Sequence, residues 1–286
     1  MHNFFIYLLI AISLFALYKY FKHNWKRLFC KKDIQFPDPK LKRPDLLYGY
    51  YSCKEEQVAE TKDHINIFMD SQFSGQDKLI QNILDAQLPT ILDLAPQLFT
   101  RNVNGLHTVR PNAEELLDNL FILMSNKGAL KYVKYLYPID EPNNTVGNST
   151  ELHKALDLVI KVASKHSELH DVKYAVIYAS GKSFICSERY DYIGLDDYDM
   201  KSNVLVGKEY TKIKDSLLVN QKTILVPGGA YMQDPTPFVN YAQNNEEVGM
   251  ILPFLWFNDD TNSVKSLGIR SNGMKEAYTL AGKSII

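Results

Sequence analysis

Short apolar runs recur along the chain from residue 45 onwards, and each is followed by a polar or amphipathic stretch. The runs are rich in β-branched and aromatic residues and are bounded by turn-forming residues, a pattern typical of buried strands. They predict eight strands, at residues 46–51, 64–69, 89–94, within 134–143, 172–179, 190–195, 223–226 and 249–256.

Helical periodicity follows most of these runs. The clearest case is 149–167, where Leu152, Leu156 and Val159 share one face. Asn112 and Glu115 have the spacing of a capping box at the start of another helix, and a glycine ends that helix at position 128. The helices are predicted after Ser52 and at 74–87, 114–125, 149–167, 181–188, 209–220, 237–245 and 274–282.

Eight strand–helix units in one body predict a closed parallel barrel. The alternative is an open doubly wound sheet, which needs a glycine-rich phosphate turn after an early strand. Neither GxGxxG nor GxxxxGK[ST] occurs in the sequence. We therefore predict an α/β fold, a (β/α)8 TIM barrel, over residues 45–286.

The N-terminal segment has a different character. Residues 4–18 are uncharged and strongly apolar, and a basic stretch with a tryptophan at position 25 follows them. A cleavable signal peptide is the alternative, but no Lys or Arg precedes the apolar run and no small residues follow it. We predict a transmembrane anchor helix with a basic flank at 1–33 and a linker at 34–44. The basic flank favours a cytoplasmic barrel, and the side of the membrane stays open.

Composition and charge exclude some classes of function. Lys and Arg total 32 against 33 Asp and Glu, so no basic footprint for nucleic acid is present. The three cysteines have no metal-type spacing, and neither His64 nor His107 has a His-x-His partner. We predict no metal and no cofactor.

The ends of the predicted strands carry the candidate chemistry, because active sites of such barrels lie at the C-terminal strand ends. Four strands end in carboxylates, and aromatic residues are interleaved with them. Acidic and aromatic rims suit carbohydrate, and crowded carboxylates raise one another's pKa. Each residue also has a structural alternative, as a helix cap, turn or packing residue. The predicted substrate contacts are Tyr51, Asp70, Asp93, Tyr178, Asp197 and Trp256, beside Asp140, Glu141 and Asp196 as catalytic candidates.

A family resemblance rests on two of these strand ends. The stretch Tyr137-Pro138-Ile139-Asp140-Glu141-Pro142-Asn143 resembles the Asn-Glu-Pro tip of the large retaining glycoside hydrolase clan of (β/α)8 barrels. The stretch 190–196 is similar to the clan's sixth strand, and Trp256 falls where those enzymes carry a sugar-stacking aromatic. The resemblance covers residues 45–283. It implies a carbohydrate substrate and Glu141 as the general acid.

Two departures leave the mechanism open. Asp140 stands where the clan has Asn, and Pro227-Gly228-Gly229-Ala230 stands where it has a nucleophilic Glu. An Asp-Glu pair on strand four is instead similar to hexosaminidase-like enzymes, in which the Glu is the acid and the Asp orients the substrate's acetamido group. An inverting route would use Asp196 or Asp197 as base, about 6.5–9.5 Å from Glu141.

The sequence therefore predicts a membrane-anchored glycoside hydrolase-like protein. The missing seventh-strand Glu favours an alternative, a catalytically inactive barrel that binds glycan or a protein partner at the same rim. A third interpretation is a phosphosugar lyase or isomerase with phosphate at Gly228-Gly229. No strand-borne lysine supports its Schiff base.

Overall fold

A computed structural model describes residues 43–51, 58–70, 75–146, 148–196, 208–258 and 267–286. The predicted anchor and nearly all of the predicted linker lie outside these ranges, as does Asp197. Within the described ranges, no helix combines the length and apolar character needed to cross a bilayer.

The main sheet has eight parallel strands, which confirms the predicted α/β barrel architecture. All eight predicted strands are present, although the second begins at Phe68 rather than at His64. The strands of the main sheet are β1 (Leu47–Tyr48), β2 (Phe68–Asp70), β3 (Thr90–Asp93), β6 (Val133–Tyr137), β7 (Lys173–Ala179), β8 (Tyr192–Asp196), β9 (Lys222–Leu225) and β10 (Val248–Ile251). Their order is β1-β10-β9-β8-β7-β6-β3-β2.

Helices follow most of the strands. They are α1 (Val58–Thr61), α2 (Gln76–Ala86), α3 (Ala95–Leu98), α4 (Ala113–Asn126), α5 (Pro142–Thr145), α6 (Ser149–Ala163), α7 (Lys208–Ser216), α8 (Thr236–Asn244) and α9 (Lys275–Ile285). The predicted stop after α4 is confirmed, because Gly128 has a φ of 73°. The predicted cap at Asn112 is wrong in detail, since that side chain makes no capping hydrogen bond.

In the connections, one further prediction fails and one element is present that was not predicted. No α-helix forms at 181–188, where the chain makes turns and a short 3-10 helix at Ser187–Arg189. The long connection after β3 contains an antiparallel hairpin that the sequence analysis did not predict, formed by β4 (Phe99–Arg101) and β5 (His107–Val109). Both segments are short and polar, so hydrophobic periodicity gives little signal there.

Hydrogen bonds join the two ends of the sheet, between β1 and the segment that leads into β2. The carbonyl of Tyr48 accepts hydrogen bonds from the N–H groups of Asn66 (2.9 Å) and Ile67 (3.4 Å). The Asn66 side chain accepts from Tyr48 N–H at 2.7 Å and donates to the Leu46 carbonyl at 3.1 Å. Gly49 permits this approach, because a Cβ there would lie 2.4 Å from the Ile67 carbonyl oxygen. The eight strands thus form a ring rather than an open sheet.

Alternating strand residues build two separate apolar layers. One set points into the barrel, and the other packs against the helices. The helix-facing layer includes Phe68, Leu92, Leu136, Val176 and Ile193. The barrel interior contains Tyr51, Ile67, Met69, Ile91, Tyr137, Ala175, Ile177, Ile224, Val226, Met250 and Leu252.

We predict that Asn66→Ala destabilises the fold by about 2–4 kcal/mol, because it leaves a backbone donor and a backbone acceptor at the closure without partners. Urea denaturation of the purified protein measures the change. Asn244→Ala serves as the control, since the exposed Asn244 amide donates one hydrogen bond to the Asn240 carbonyl of its own helix. Equal losses in the two variants would contradict a special role for the closure.

Candidate active site at the C-terminal end of the barrel

Three aspartates occupy inward-facing positions at the carboxyl ends of their strands. Asp93 lies two residues after Ile91, which belongs to the barrel interior. Asp196 lies two residues after Gly194, where an added Cβ would meet inward-facing side chains of both neighbouring strands. Asp140 follows the end of β6. The parallel sheet therefore places the acids that follow or end β3, β6 and β8 at the same end of the barrel.

Asp140 is half-buried in the segment that follows β6. The Tyr137 hydroxyl donates a hydrogen bond to its Oδ1 at 2.7 Å, and Tyr51 also hydrogen-bonds to it. Burial raises the pKa of Asp140 above its usual value, and the charge of Glu141 adds to this rise. The hydrogen bonds from the two tyrosines act in the opposite direction. Asp140 therefore keeps its proton to a higher pH than an ordinary aspartate does.

The two tyrosines form the floor beneath this acid. The ring centroids of Tyr51 and Tyr137 lie 6.5 Å apart in an edge-to-face arrangement, and their hydroxyl oxygens are 3.5 Å apart. Burial raises both pKa values well above the usual tyrosine value, and the charges of Asp140 and Asp196 add to the effect. Both hydroxyls thus stay protonated and act as donors. Phe254 extends the aromatic floor, with its centroid 5.7 Å from that of Tyr51.

Glu141 adopts a left-handed backbone conformation, with φ 43° and ψ 56°. A residue that precedes a proline usually favours an extended conformation, so this conformation departs from the local preference that Pro142 imposes. The carbonyl of Glu141 accepts hydrogen bonds from the N–H groups of Asn144 and Thr145, which closes a turn directly after β6. Its side chain is half-buried, and Oε2 accepts a 2.9 Å hydrogen bond from the Asn144 amide. The left-handed residue interrupts the strand alternation at Glu141.

The segment that carries these two acids is attached to β7. The Asn143 side chain donates to the Ala179 carbonyl at 2.9 Å and accepts from its N–H at 3.0 Å. The N–H of Glu141 donates to the Ile177 carbonyl at 3.1 Å. These three bonds fix the backbone on the C-terminal side of Asp140.

Two predicted substrate contacts do not reach the mouth, which corrects the sequence prediction. Tyr178 points towards the helices, because its neighbours in β7 face inwards, and its hydroxyl donates to the Ile185 carbonyl. Trp256 is 0% exposed and packs against Tyr50 in the helix-facing layer. Its Nε1 donates to Glu60 at 3.1 Å. Neither ring has a face available to a sugar.

Of the remaining predicted contacts, the structure describes the side chain of Asp93 but not those of Asp70 and Asp197. Asp93 accepts a hydrogen bond from the Ala95 N–H at 2.9 Å and so also holds the start of α3. Asp70 ends β2, and its side chain lies outside the described part of the chain, as does the whole of Asp197.

The sequence analysis missed two residues of this site. Tyr137 was treated as part of a buried strand, although its two-residue spacing from Tyr135 places it on the inward face once one inward residue is known. Asn143 has no assigned role in the sequence analysis. Its side chain contacts a strand 36 positions away in the sequence, and no local pattern predicts such a bond.

The end of β9 carries no acid. Its inward position is the buried Val226, and the Gly228 and Gly229 N–H groups already donate to Gln233 Oε1 and the Pro227 carbonyl. These N–H groups are not available to a phosphate. Among the described residues, no group of three or more His, Cys, Asp or Glu is arranged to hold a metal ion.

No protein-family model and no curated protein matches this sequence. Solved structures do match its fold. The β-glucuronidase of an uncultured Clostridium species aligns with a TM-score of 0.60 at 12% identity, over 88% of this chain and 53% of that one. The GH2 β-galacturonidase of Eisenbergiella tayi, bound to galacturonate, gives 0.58 at 10% identity, over 86% and 52%. The Ruminococcus gnavus β-glucuronidase gives 0.55 at 12% identity, over 84% and 51%.

The chain spans about half the length of these solved structures. At such low identity the similarity concerns the fold alone. The chain has an eight-stranded α/β barrel of the kind found in glycoside hydrolases.

Proposed function

We propose that this barrel binds a carbohydrate at its mouth and hydrolyses a glycosidic bond there. The observation that carries the proposal is the inward-facing Asp140, half-buried above two tyrosine hydroxyls with its pKa raised. Inward-facing Asp93 and Asp196 belong to the same strand ends. Fold neighbours described as a β-glucuronidase and a β-galacturonidase support a carbohydrate as the substrate.

Glycosidic hydrolysis needs one protonated and one ionised carboxyl group. Asp140 has the raised pKa of the first, and in our proposal it gives its proton to the glycosidic oxygen as the C–O bond breaks. Asp196 then takes a proton from the water that attacks the anomeric carbon. The tyrosine donors at Asp140 support the carboxylate that forms when the proton leaves.

The sequence-based assignment of Glu141 as the acid remains the competing version of this proposal. In that version Asp140 orients the substrate, as the resemblance to hexosaminidase-like enzymes implies. We favour Asp140 because burial raises its pKa, whereas Glu141 is held by Asn144 in the adjacent turn. The charge of Glu141 then acts by raising the pKa of its neighbour.

A catalytically silent carbohydrate-binding barrel is the second candidate. The apolar Val226 at the end of β9 favours it, because retaining enzymes of the resembling clan place their nucleophile on that strand. Such a barrel keeps the acidic and aromatic mouth for binding and performs no hydrolysis.

Membrane attachment is also part of the proposal, and it is supported by the sequence of residues 1–33 alone. The uncharged run at 4–18 and the basic residues after it are typical of an anchor.

We predict that Asp140→Asn lowers kcat on the best aryl glycoside of a panel by a factor of about 100–10,000, because the proton donor is lost. Glu141→Gln lowers it far less and moves the alkaline limb of the pH–rate profile to lower pH, because the charge that raises the pKa of Asp140 is gone. Asp77→Asn, on the exposed face of α2, is the unaffected control. The reverse ranking assigns the proton to Glu141, and binding without turnover identifies the silent barrel.

A second prediction concerns stability against pH. Above the usual aspartate value of 3.8 the unfolded chain loses the Asp140 proton, whereas the folded protein retains it up to the raised pKa. The folded state then binds more protons, so the free energy of unfolding falls as pH rises through this window. Asp140→Asn removes this loss, so in urea titrations the free energy of unfolding of the variant increases relative to that of the wild type as pH rises above 3.8.

Asp118→Asn provides the opposite control. The hydrogen bond from His166 lowers the pKa of Asp118, so its stabilising contribution is present above the usual value and is lost as pH falls. The free energy of unfolding of Asp118→Asn therefore decreases relative to that of the wild type as pH rises. Parallel curves for wild type and Asp140→Asn would contradict a raised pKa at Asp140.

We predict that the full chain expressed in cells sediments with membranes and resists carbonate extraction, whereas a chain that begins at residue 43 stays in the supernatant. Immunoblotting of the fractions measures both. Carbonate release of the full chain would contradict the anchor.

A further inference from the structure

Two adjacent apolar side chains are exposed at the end of the barrel opposite the mouth, where the parallel strands begin. Leu218 is 54% exposed and Val219 is 90% exposed, in the turn between α7 and β9. A single exposed apolar residue is common on a protein surface. Two consecutive ones at the tip of a turn are more specific, because they can enter an apolar phase together. We refer to Leu218 and Val219 as the apolar tip.

The turn that carries the apolar tip is held by Gln221. Its Oε1 accepts from the Leu218 N–H at 2.8 Å, and its own N–H donates to the Leu218 carbonyl at 3.0 Å. The Gln221 amide also donates to the carbonyls of Ser187 (2.8 Å) and Tyr190 (2.7 Å), ahead of β8. The apolar tip is thus carried on a fixed support, which lowers the entropy cost of binding it to a partner.

The described part of the barrel domain begins beside this turn. Arg43 donates to the carbonyls of Ala242 (2.8 Å) and Asn245 (2.6 Å), at the C-terminal end of α8, and to the Glu246 carbonyl at 3.5 Å. Lys222 is the first residue of β9, directly after the turn, and it donates to the same Glu246 carbonyl at 2.5 Å. Arg43 and the apolar tip therefore lie at the same end of the barrel, on either side of one backbone group.

The sequence before Arg43 indicates what this end of the barrel meets. In the proposed membrane attachment, the apolar run at 4–18 is the anchor, and residues 34–42 connect its basic flank to Arg43. Residues 34–42 reach at most about 30 Å when fully extended. The seven residues of β7 separate the strand starts from the mouth by about 20 Å. Because Arg43 fixes the end of the linker at the strand starts, that end of the barrel is nearer to the bilayer than the mouth is.

Charged side chains near the apolar tip are paired with one another. Lys214 contacts Glu247 at 3.4 Å, and Lys173 contacts Asp191 at 3.5 Å. These pairs do not favour a strongly acidic or strongly basic partner. An apolar tip among paired charges suits the boundary between lipid headgroups and acyl chains, where apolar side chains are buried while charges stay in water.

We propose that the apolar tip inserts into the surface of the bilayer that holds the anchor, so that the strand starts face the membrane and the mouth faces water. This inference rests on the proposed membrane attachment and is independent of the proposed hydrolysis. Leu218 and Val219 enter the headgroup–acyl boundary, and the long side chains of Arg43 and Lys222 lie at the headgroups. The mouth then receives its substrate from the aqueous side rather than from a lipid of the same membrane.

Site-specific fluorescence tests this orientation in the full chain, reconstituted into phosphatidylcholine vesicles. Cys30 and Cys53 are replaced by Ser, and the buried Cys186 is kept. A nitrobenzoxadiazole dye is attached to a cysteine introduced by Val219→Cys or, as the matched control, by Val103→Cys. Val103 is also a fully exposed valine in a turn, but it lies between β4 and β5, after β3 and therefore at the mouth end. Lipids with a nitroxide on the acyl chain quench a dye that enters the bilayer.

We expect the nitroxide lipids to quench the dye at position 219 at least about threefold more strongly than the dye at position 103, because only the first lies among acyl chains. Leu218→Asp, introduced beside the dye at position 219, lowers this quenching to the level of the control. A carboxylate at that position keeps the turn in water, since its burial among acyl chains is unfavourable.

Each other result counts against the proposal in a different way. Weak quenching at both positions, in a chain that floats with the vesicles, overturns the insertion and preserves the anchor. Stronger quenching at position 103 places the mouth against the bilayer and overturns the orientation. Unchanged quenching in Leu218→Asp overturns the apolar contact, since the linker alone then sets the distance. A chain that does not float with the vesicles contradicts the anchor, and the proposal fails with it.

Discussion

The closure between β1 and β2 is the constraint on which the rest of this structure depends. It consists of a few hydrogen bonds around Tyr48 and Asn66, and it needs a residue without a side chain at Gly49. Through it the chain continues from β1 along β10 and delivers Tyr51 to the mouth, where its N–H donates to the Pro253 carbonyl. In an open sheet Tyr51 would lie at one edge, with water on one side. Closure surrounds it and gives Asp140 its second tyrosine donor.

The chemistry of the mouth follows from that enclosure. Asp140 has a raised pKa because neighbouring strands exclude water from it, and the same burial keeps the hydroxyls of Tyr51 and Tyr137 protonated. A carboxyl group held in this way destabilises the folded state whenever it ionises. The barrel thus carries a local cost in stability at Asp140, and perturbed groups of this kind are concentrated at functional sites.

Sequence patterns predicted the barrel well, because strand identity is a local property. Eight apolar runs were sufficient to find eight strands and to bring Asp93, Asp140 and Asp196 to one end. Side chains alternate between the interior and the helices along each strand, and the sequence of one apolar strand does not show which alternate set faces inwards. Tyr178 and Trp256 were therefore misplaced. The left-handed turn at Glu141 and the bond from Asn143 to Ala179 depend on contacts with β7, which no local pattern encodes.

The Asn143 amide has a mechanical consequence. The side chain donates one hydrogen bond to the Ala179 backbone and accepts one from it, as a peptide group of a neighbouring strand would. It therefore extends the hydrogen bonding between β6 and β7 beyond the end of β6. The position of Asp140 above the barrel floor is therefore fixed by β7 as well as by β6, the strand that precedes it. A shift of β7 along its axis would therefore also move Asp140, relative to the tyrosines below it.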